Sequence, residues 1–394
     1  MTFTLTRLQR ATQKTIEGSE EYLLNMGPQH PSTHGVLRLV LRCDGEIVRH
    51  ADLVFGYLHR CDEKLNETHP YYQVVPYTDR WDYLASMVNN HVTCLAMEDL
   101  GEIEIPRRAE YIRVLVSELQ RIASHLFWFG TFGLDIGATT MLFYCTRERE
   151  KIVDIFEELS GARLTYHYIR IGGVMADTTT KAMRMIRAFC EEFPTRMQQY
   201  SDLFSGNEIF LARARNTAYL SPEEAINLSQ SGVMLRASGV AYDVRKNKPY
   251  SIYPELDFAM AVSDRGDILG RYEVRWEEMK QSLKMVEQCY EWLENDRIAW
   301  EASHSKYEPP VVMGKIPKTF KPKRGETYAC IEAPRGELGV YLVADGGKNP
   351  YKMHIKSSCQ INLQSVNPMC KGLPIADVVA ALGSVDIVLG EVDK

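Results

Sequence analysis

The hydrophobic period of this chain changes twice, and that pattern constrains the fold more than any single motif. Residues 20–60 alternate apolar and polar positions and are rich in β-formers, with Asp44-Gly45 between the runs 36–42 and 46–55. That dipeptide between two apolar runs predicts an antiparallel hairpin. From about residue 79 the period becomes helical. Residues 79–96 align Trp81, Leu84, Ala85, Val88 and Val92, and residues 107–129 align Ile112, Leu115, Leu119, Ile122 and Leu126. Further helices are predicted over 143–159, 180–204, 222–230 and 264–294, with Gly161 as a stop and Pro222 as a start. Past the proline-rich stretch 309–322, strand patterns return at 326–333, 339–344 and 351–356. An apolar segment, 375–382, leads to a tail, 384–394, too apolar for a frayed end. The expected fold class is α+β: a central α-helical bundle with a small N-terminal antiparallel sheet and a C-terminal α/β region. The expected divisions are 1–75, 76–308 (the bundle) and 309–394.

Within the N-terminal region, Gly27-Pro28-Gln29-His30-Pro31-Ser32-Thr33-His34-Gly35 runs straight into an apolar strand. Pro31 disfavours a helical His30, so this is a proline-stiffened loop. Such a loop can hold an imidazole fixed in a cleft, or it can be a buried turn whose histidines bond to backbone carbonyls. Both readings are open from local chemistry.

Several function classes are excluded. A net charge of −6, with no long Lys/Arg run, argues against nucleic-acid binding. No apolar run reaches the roughly 18–20 residues of a spanning helix, and residues 1–18 lack a signal-type apolar core. The expected state is soluble or peripheral to a membrane. The nine cysteines include no Cys-x-x-Cys, which suggests reduced thiols and no metal or cluster bound by this chain.

Polar residues in apolar or turn contexts mark the candidate chemistry. Tyr83 is expected in the first turn of the 79–96 helix, with Asp79 as its N-cap and Asp82 beside it. On local chemistry alone it reads first as a core tyrosine, since tyrosine is commonly half-buried. Asp135, in Phe132-Gly133-Leu134-Asp135-Ile136-Gly137, needs a partner if buried, and a histidine is a natural one. Arg147-Glu148-Arg149-Glu150 reads as a solvated helix face. The best constellation is His34, Tyr83 and Asp135, suited to binding and protonating a carbonyl oxygen such as a quinone's.

These residues also carry a resemblance. Residues 27–38, Gly56-Tyr57-Leu58-His59-Arg60, Arg80-Trp81-Asp82-Tyr83 and Arg121-Ile122-Ala123-Ser124-His125 match, in order, the quinone-site core subunit family of respiratory complex I. So do Tyr168-Ile169-Arg170-Ile171-Gly172-Gly173-Val174, Tyr242-Asp243-Val244-Arg245, Arg335-Gly336-Glu337-Leu338-Gly339 and Asp386-Ile387-Val388-Leu389-Gly390-Glu391-Val392-Asp393. More distantly the chain is similar to the large subunit of nickel–iron hydrogenases, whose fold is implied. Its paired Cys-x-x-Cys motifs are missing, so a hydrogenase-type metal enzyme is the alternative reading, and a scaffold without quinone chemistry is another.

The resemblance implies a peripheral-arm subunit of a proton-translocating NADH:quinone oxidoreductase. His34 and Tyr83 would bind the headgroup of a ubiquinone or menaquinone, and Asp135 would pair with His34. Arg80 would lie beside the terminal iron–sulfur cluster of a neighbouring subunit. Implied partners are that cluster subunit, a neighbouring hydrophilic core subunit and the membrane subunit at the quinone entrance. The implied location is the cytoplasmic face of a bacterial inner membrane, or the matrix face in an organelle. In the family, a charge change at this site is thought to trigger proton pumping. Three departures stand out: Thr165 where a histidine is usual, with His167 two residues on; Cys61 where glycine is usual, read as a small buried thiol; and Lys394 for arginine.

Overall fold

The computed structural model describes residues 21–30, 33, 35–303 and 309–394, so His34 lies outside the described residues. Strands β1 (Glu21–Met26), β2 (Arg38–Asp44) and β3 (Ile47–Val54) form an antiparallel sheet in that order. Alternation buries Leu39, Leu41 and Cys43 on one face. Asp44 pairs with Ile47, so the expected hairpin closes through Gly45-Glu46. The far end of the chain completes this sheet. Val48 N donates to Leu373 O at 2.9 Å, and Gly372 N donates to Val48 O at 2.8 Å.

The expected helix over 79–96 is instead a turn, 79–85, followed by a helix that starts seven residues late. After α1 (Asp62–Thr68), α2 (Tyr71–Thr78) ends before Asp79 and α3 (Ser86–Gly101) begins at Ser86. Tyr83 is therefore in the intervening turn, and Asp79 follows α2 rather than capping a helix start. The physical reason is local competition for backbone groups. Asp82 Oδ1 accepts from Leu84 N at 3.1 Å, and Ser86 Oγ donates to Asp79 O at 2.9 Å.

Helix α4 (Arg107–Asp135) runs past residue 129, where the sequence pattern ended it. Gly130 and Gly133 do not interrupt it, because they are where α5 (Thr139–Ser160) packs against it. A Cβ on Gly133 would lie 2.9 Å from the Met141 Cβ, and one on Gly130 would lie 3.1 Å from the Leu142 Cα. Helix α6 (Thr180–Tyr200) passes into a π turn at Ser201–Ser205, and α7 (Ile268–Ser303) packs against α4 and α6. Short helices, Glu208–Ala214 through Val244–Asn247, lie between α6 and α7.

Strands β4 (Gly325–Ala333), β5 (Gly336–Ala344) and β6 (Lys352–Lys356) form an antiparallel meander on α3. Ala333 pairs with Gly336, leaving Pro334-Arg335 as a two-residue turn. The apolar C-terminal segment forms α8 (Ile375–Val385) and α9 (Leu389–Val392), and residues 380–393 are buried as their composition suggested. One hydrophobic core extends from Met26 to Val392.

That core encloses charge. Glu118 of α4 accepts from Arg121 Nε (3.1 Å), Arg245 Nη1 (3.3 Å), Tyr253 OH (2.6 Å) and Ser282 Oγ (2.7 Å). Burial alone would raise its pKa, but Arg121 and Arg245 outweigh it and bring the carboxyl down to about 2. Glu278 of α7 accepts from Arg236 and from His125 Nε2. No helix among the described residues is long and apolar enough to cross a membrane.

Candidate functional site

The turn 79–85 is a buried pedestal carrying one half-exposed aromatic ring. Trp81, Asp79, Asp82 and Ala85 are at most 1% exposed, whereas Tyr83 is 38% exposed. The turn's carbonyls are bonded from three directions. Asn89 Nδ2 donates to Asp82 O at 2.9 Å, Gln120 Nε2 to Leu84 O at 2.6 Å, and Ser86 Oγ to Asp79 O. The Tyr83 phenol is raised above its usual pKa by burial and by the adjacent Asp82 carboxyl, so it remains protonated at neutral pH and can donate a hydrogen bond.

Arg80 follows α2 with its side chain 53% exposed, 3.9 Å from Asp79 and donating to Pro76 O. With His69, Tyr72, Gln73, Pro76 and Tyr77 it lines an open concavity of about 570 Å³. The His167 imidazole is brought down to about 4, by burial first and then by Arg170 and Arg80. It is neutral at physiological pH.

Asp135 is the last residue of α4, half-buried. Its Oδ2 lies 3.1 Å from where a Cβ on Gly383 would stand, and Trp128 Nε1 donates to Gly383 O at 2.7 Å. The loop around His34 is described on both sides. Thr33 is buried and donates from its N and Oγ1 to His30 O, at 3.1 and 2.9 Å, and Gly35 faces the Leu389 side chain at 3.6 Å from a Cβ position.

The C-terminal segment is what these elements share. Gly383 meets Asp135, Leu389 meets Gly35, and Gly390 passes against the Arg80–Trp81 backbone. A Cβ on Gly390 would stand 2.5 Å from Trp81 O and 2.9 Å from Arg80 O. Only glycine fits that approach. Arg60 rivets the crossing, with Nη1 on Arg80 O at 2.9 Å and Nη2 on Gly390 O at 2.6 Å. Asp393 then receives Gly56 N and Leu58 N, both at 2.8 Å.

Sequence reasoning missed Arg60, Gly390 and Asp393, and also Arg335, whose guanidinium bonds Asp82 and Asp386. All four stand in stretches that carry the family resemblance, but nothing in their local spacing marked them as site residues. The backbone at Cys61 has a φ of 57°, in the left-handed region that favours glycine, and nothing in the structure explains the cysteine there. Its thiol is exposed rather than buried, and stands 3.6 Å from His59 Nε2. The other eight cysteines are buried and free. Lys394 donates to Ile355 O. Among the described residues no three His, Cys, Asp or Glu side chains are grouped as metal ligands.

Asp79 is a pH-sensitive element. Burial lifts its carboxyl to about 7, against smaller opposing effects of the His167 amide, Asn90 and Arg80. Because the folded pKa is raised, this group's contribution to stability is full below pH ~4 and is lost as pH rises through about 7. From pH 6 to 8 the turn should lose about 1.4 kcal/mol of protection against local opening. Hydrogen exchange at the Trp81 and Ala85 amides reads this directly, and Asp79→Asn should flatten the profile.

The sequence matches known proteins along its length. The family profile described as "Respiratory-chain NADH dehydrogenase, 49 Kd subunit" matches residues 135–394. The chain is 49% identical over 375 residues to the D subunit of the NADH-quinone oxidoreductase of Geobacillus thermodenitrificans, covering 95% of this chain and 99% of the relative. Over the same shares of both chains it is 50% identical to the counterpart in Desulforamulus reducens and 48% identical to the one in Bacillus anthracis. With a profile covering most of its length and relatives covered almost end to end, the chain belongs to the 49 kDa subunit family of respiratory-chain NADH dehydrogenases.

Proposed function

We propose that this chain forms the quinone-reduction site of complex I. As a family member it is a subunit of NADH-quinone oxidoreductase, an electron-transport complex of the respiratory chain. The observation that carries the finer reading is the 79–85 turn: a fully braced, buried support presenting one protonated, half-exposed tyrosine. A phenol so held donates to a carbonyl oxygen without first being ordered, which is what proton transfer to a quinone requires.

In this reading Tyr83 bonds one carbonyl of the headgroup and His34 the other, with Asp135 orienting His34. Quinone takes up two electrons and two protons to become quinol. An iron–sulfur cluster held by a neighbouring subunit docked on the Arg80 face would supply the electrons. Tyr83 and His34 give protons to the two oxygens and recover them from solvent. Residues 1–75 then carry the headgroup loop, 76–308 the bundle, and 309–394 the segment that closes the site. A neighbouring hydrophilic subunit and a membrane subunit complete the quinone path, and they hold the chain at the cytoplasmic (or matrix) face of the membrane.

Tyr83→Phe in the assembled complex tests this. Quinone reductase activity should fall about 100-fold or more, with assembly and donor-dependent cluster reduction unchanged. Unchanged activity would make Tyr83 an ordinary surface tyrosine and favour a scaffold.

A further inference from the structure

Arg335 occupies the second position of the Pro334-Arg335 turn, yet its side chain points inward and is 1% exposed. Its guanidinium ties together three elements distant in sequence. Nη1 donates to Asp82 Oδ2 at 2.5 Å and to Ser124 Oγ of α4 at 2.9 Å. Nε donates to Asp386 O at 3.0 Å and Nη2 to Asp386 Oδ1 at 3.2 Å. Asp82 precedes Tyr83, and its other oxygen holds Leu84 N, the residue after Tyr83. The carboxylate that Arg335 grips therefore spans the backbone of Tyr83. The grip has its own anchor: Gly336 crosses Gly232 so closely that a Cβ on Gly232 would run into the Gly336 Cα. Arg335 O also accepts from Asn362 Nδ2 at 2.8 Å.

We propose that Arg335 is the positioning residue of Tyr83, acting through Asp82 to fix the phenol relative to α4 and the C-terminal segment. The proposal rests on the reading of Tyr83 as a quinone ligand. A planar fork is needed, because one lysine ammonium cannot meet Asp82, Ser124 and Asp386 in these directions. Burial alone would discharge Arg335, but Asp386 and Asp82 hold it charged. Glu391 and Cys359 also face this group.

The test is a double-mutant cycle in the assembled complex, using Arg335→Lys, Tyr83→Phe and both together. Turnover with a short-chain quinone is measured, and donor-dependent cluster reduction serves as the control. Arg335→Lys should lower turnover about 50-fold or more, most of the loss expected for Tyr83→Phe, with cluster reduction unchanged. Adding Tyr83→Phe should then cost less than about threefold, because the phenol is already misplaced. A merely structural arginine predicts factors that multiply, and that outcome overturns the proposal while leaving the quinone-ligand reading intact. A silent Tyr83→Phe is a different signature: it removes that reading, and this inference with it. If Arg335→Lys does not assemble, Asp82→Asn, which keeps the shape and the Leu84 contact, replaces it in the same cycle. Failure of both to assemble assigns Arg335 to folding and overturns the proposal.

Discussion

Gly390→Ala is expected to yield an assembled complex whose quinone reduction is lowered about 100-fold, the order of effect that a misplacement near 1 Å produces. The new Cβ would stand 2.5 Å from Trp81 O and 2.9 Å from Arg80 O, both backbone atoms. One chain must retreat. The C-terminal segment is held by Arg60 on Gly390 O, and by Asp393 on Gly56 N and Leu58 N. Glu391 is held too, by Ser357 Oγ at 2.9 Å, Ser358 Oγ at 3.0 Å and Cys359 N at 3.1 Å. The turn bearing Tyr83 is braced as well, so the strain is shared, and any retreat of the Arg80–Trp81 backbone displaces Tyr83 two residues on. Quinone-reductase turnover measured beside cluster reduction by donor checks this. Wild-type turnover in an assembled Gly390→Ala complex would show that the crossing does not control Tyr83.

Glu118→Ala should have the larger effect on folding. The substitution leaves Arg121 without its carboxylate and Arg245 with Asp243 alone, in a core where both are at most 3% exposed, and it orphans Tyr253 OH and Ser282 Oγ. Breaking a buried ion pair costs about 3–5 kcal/mol, and here two cations lose the same partner. Since domains are typically stable by only about 5–15 kcal/mol, the expected result on a native gel is no assembled complex. Glu118→Gln keeps the shape and two hydroxyl bonds and should assemble at a reduced level. The depressed Glu118 carboxyl adds a direction with pH. Its stabilisation is present above the unfolded value, near 4.3, and is lost as pH falls through about 2. Normal assembly of Glu118→Ala would show that this cluster is dispensable.

The elements that the sequence made legible are those specified by near neighbours. Alternation and Asp44-Gly45 marked the first hairpin, and helical period marked α4, α5 and α7. The break at 79–85 was invisible because Trp81, Leu84 and Ala85 keep helical spacing while Asp82 and Ser86 bond the local backbone away from a helix. The pattern of α4 ended at residue 129, yet the helix runs on to Asp135, because Gly130 and Gly133 are contact points with α5, which periodicity cannot distinguish. At the candidate site, Tyr83 and Asp135 stood out as polar residues in apolar settings. Arg60, Arg335, Gly390 and Asp393 did not. Their meaning lies in partners hundreds of residues away, as between Arg335 and Asp82 (253 apart) or Arg60 and Gly390 (330 apart).

The sheet edge completed by residues 372–373 bears on how the chain is made. Strand β3 emerges from the ribosome early, but Ala51 bonds Asn367 Oδ1 across a separation of 316 residues. At about 5–20 residues per second, that partner follows roughly 15–60 s later. Meanwhile Leu39, Leu41, Cys43 and Val48, all fully covered in the finished fold, have no native cover from that end. Contacts of such long range also slow folding by their nature. The nascent hairpin over residues 21–54 is thus an aggregation hazard during synthesis until the C-terminal residues arrive to cover it.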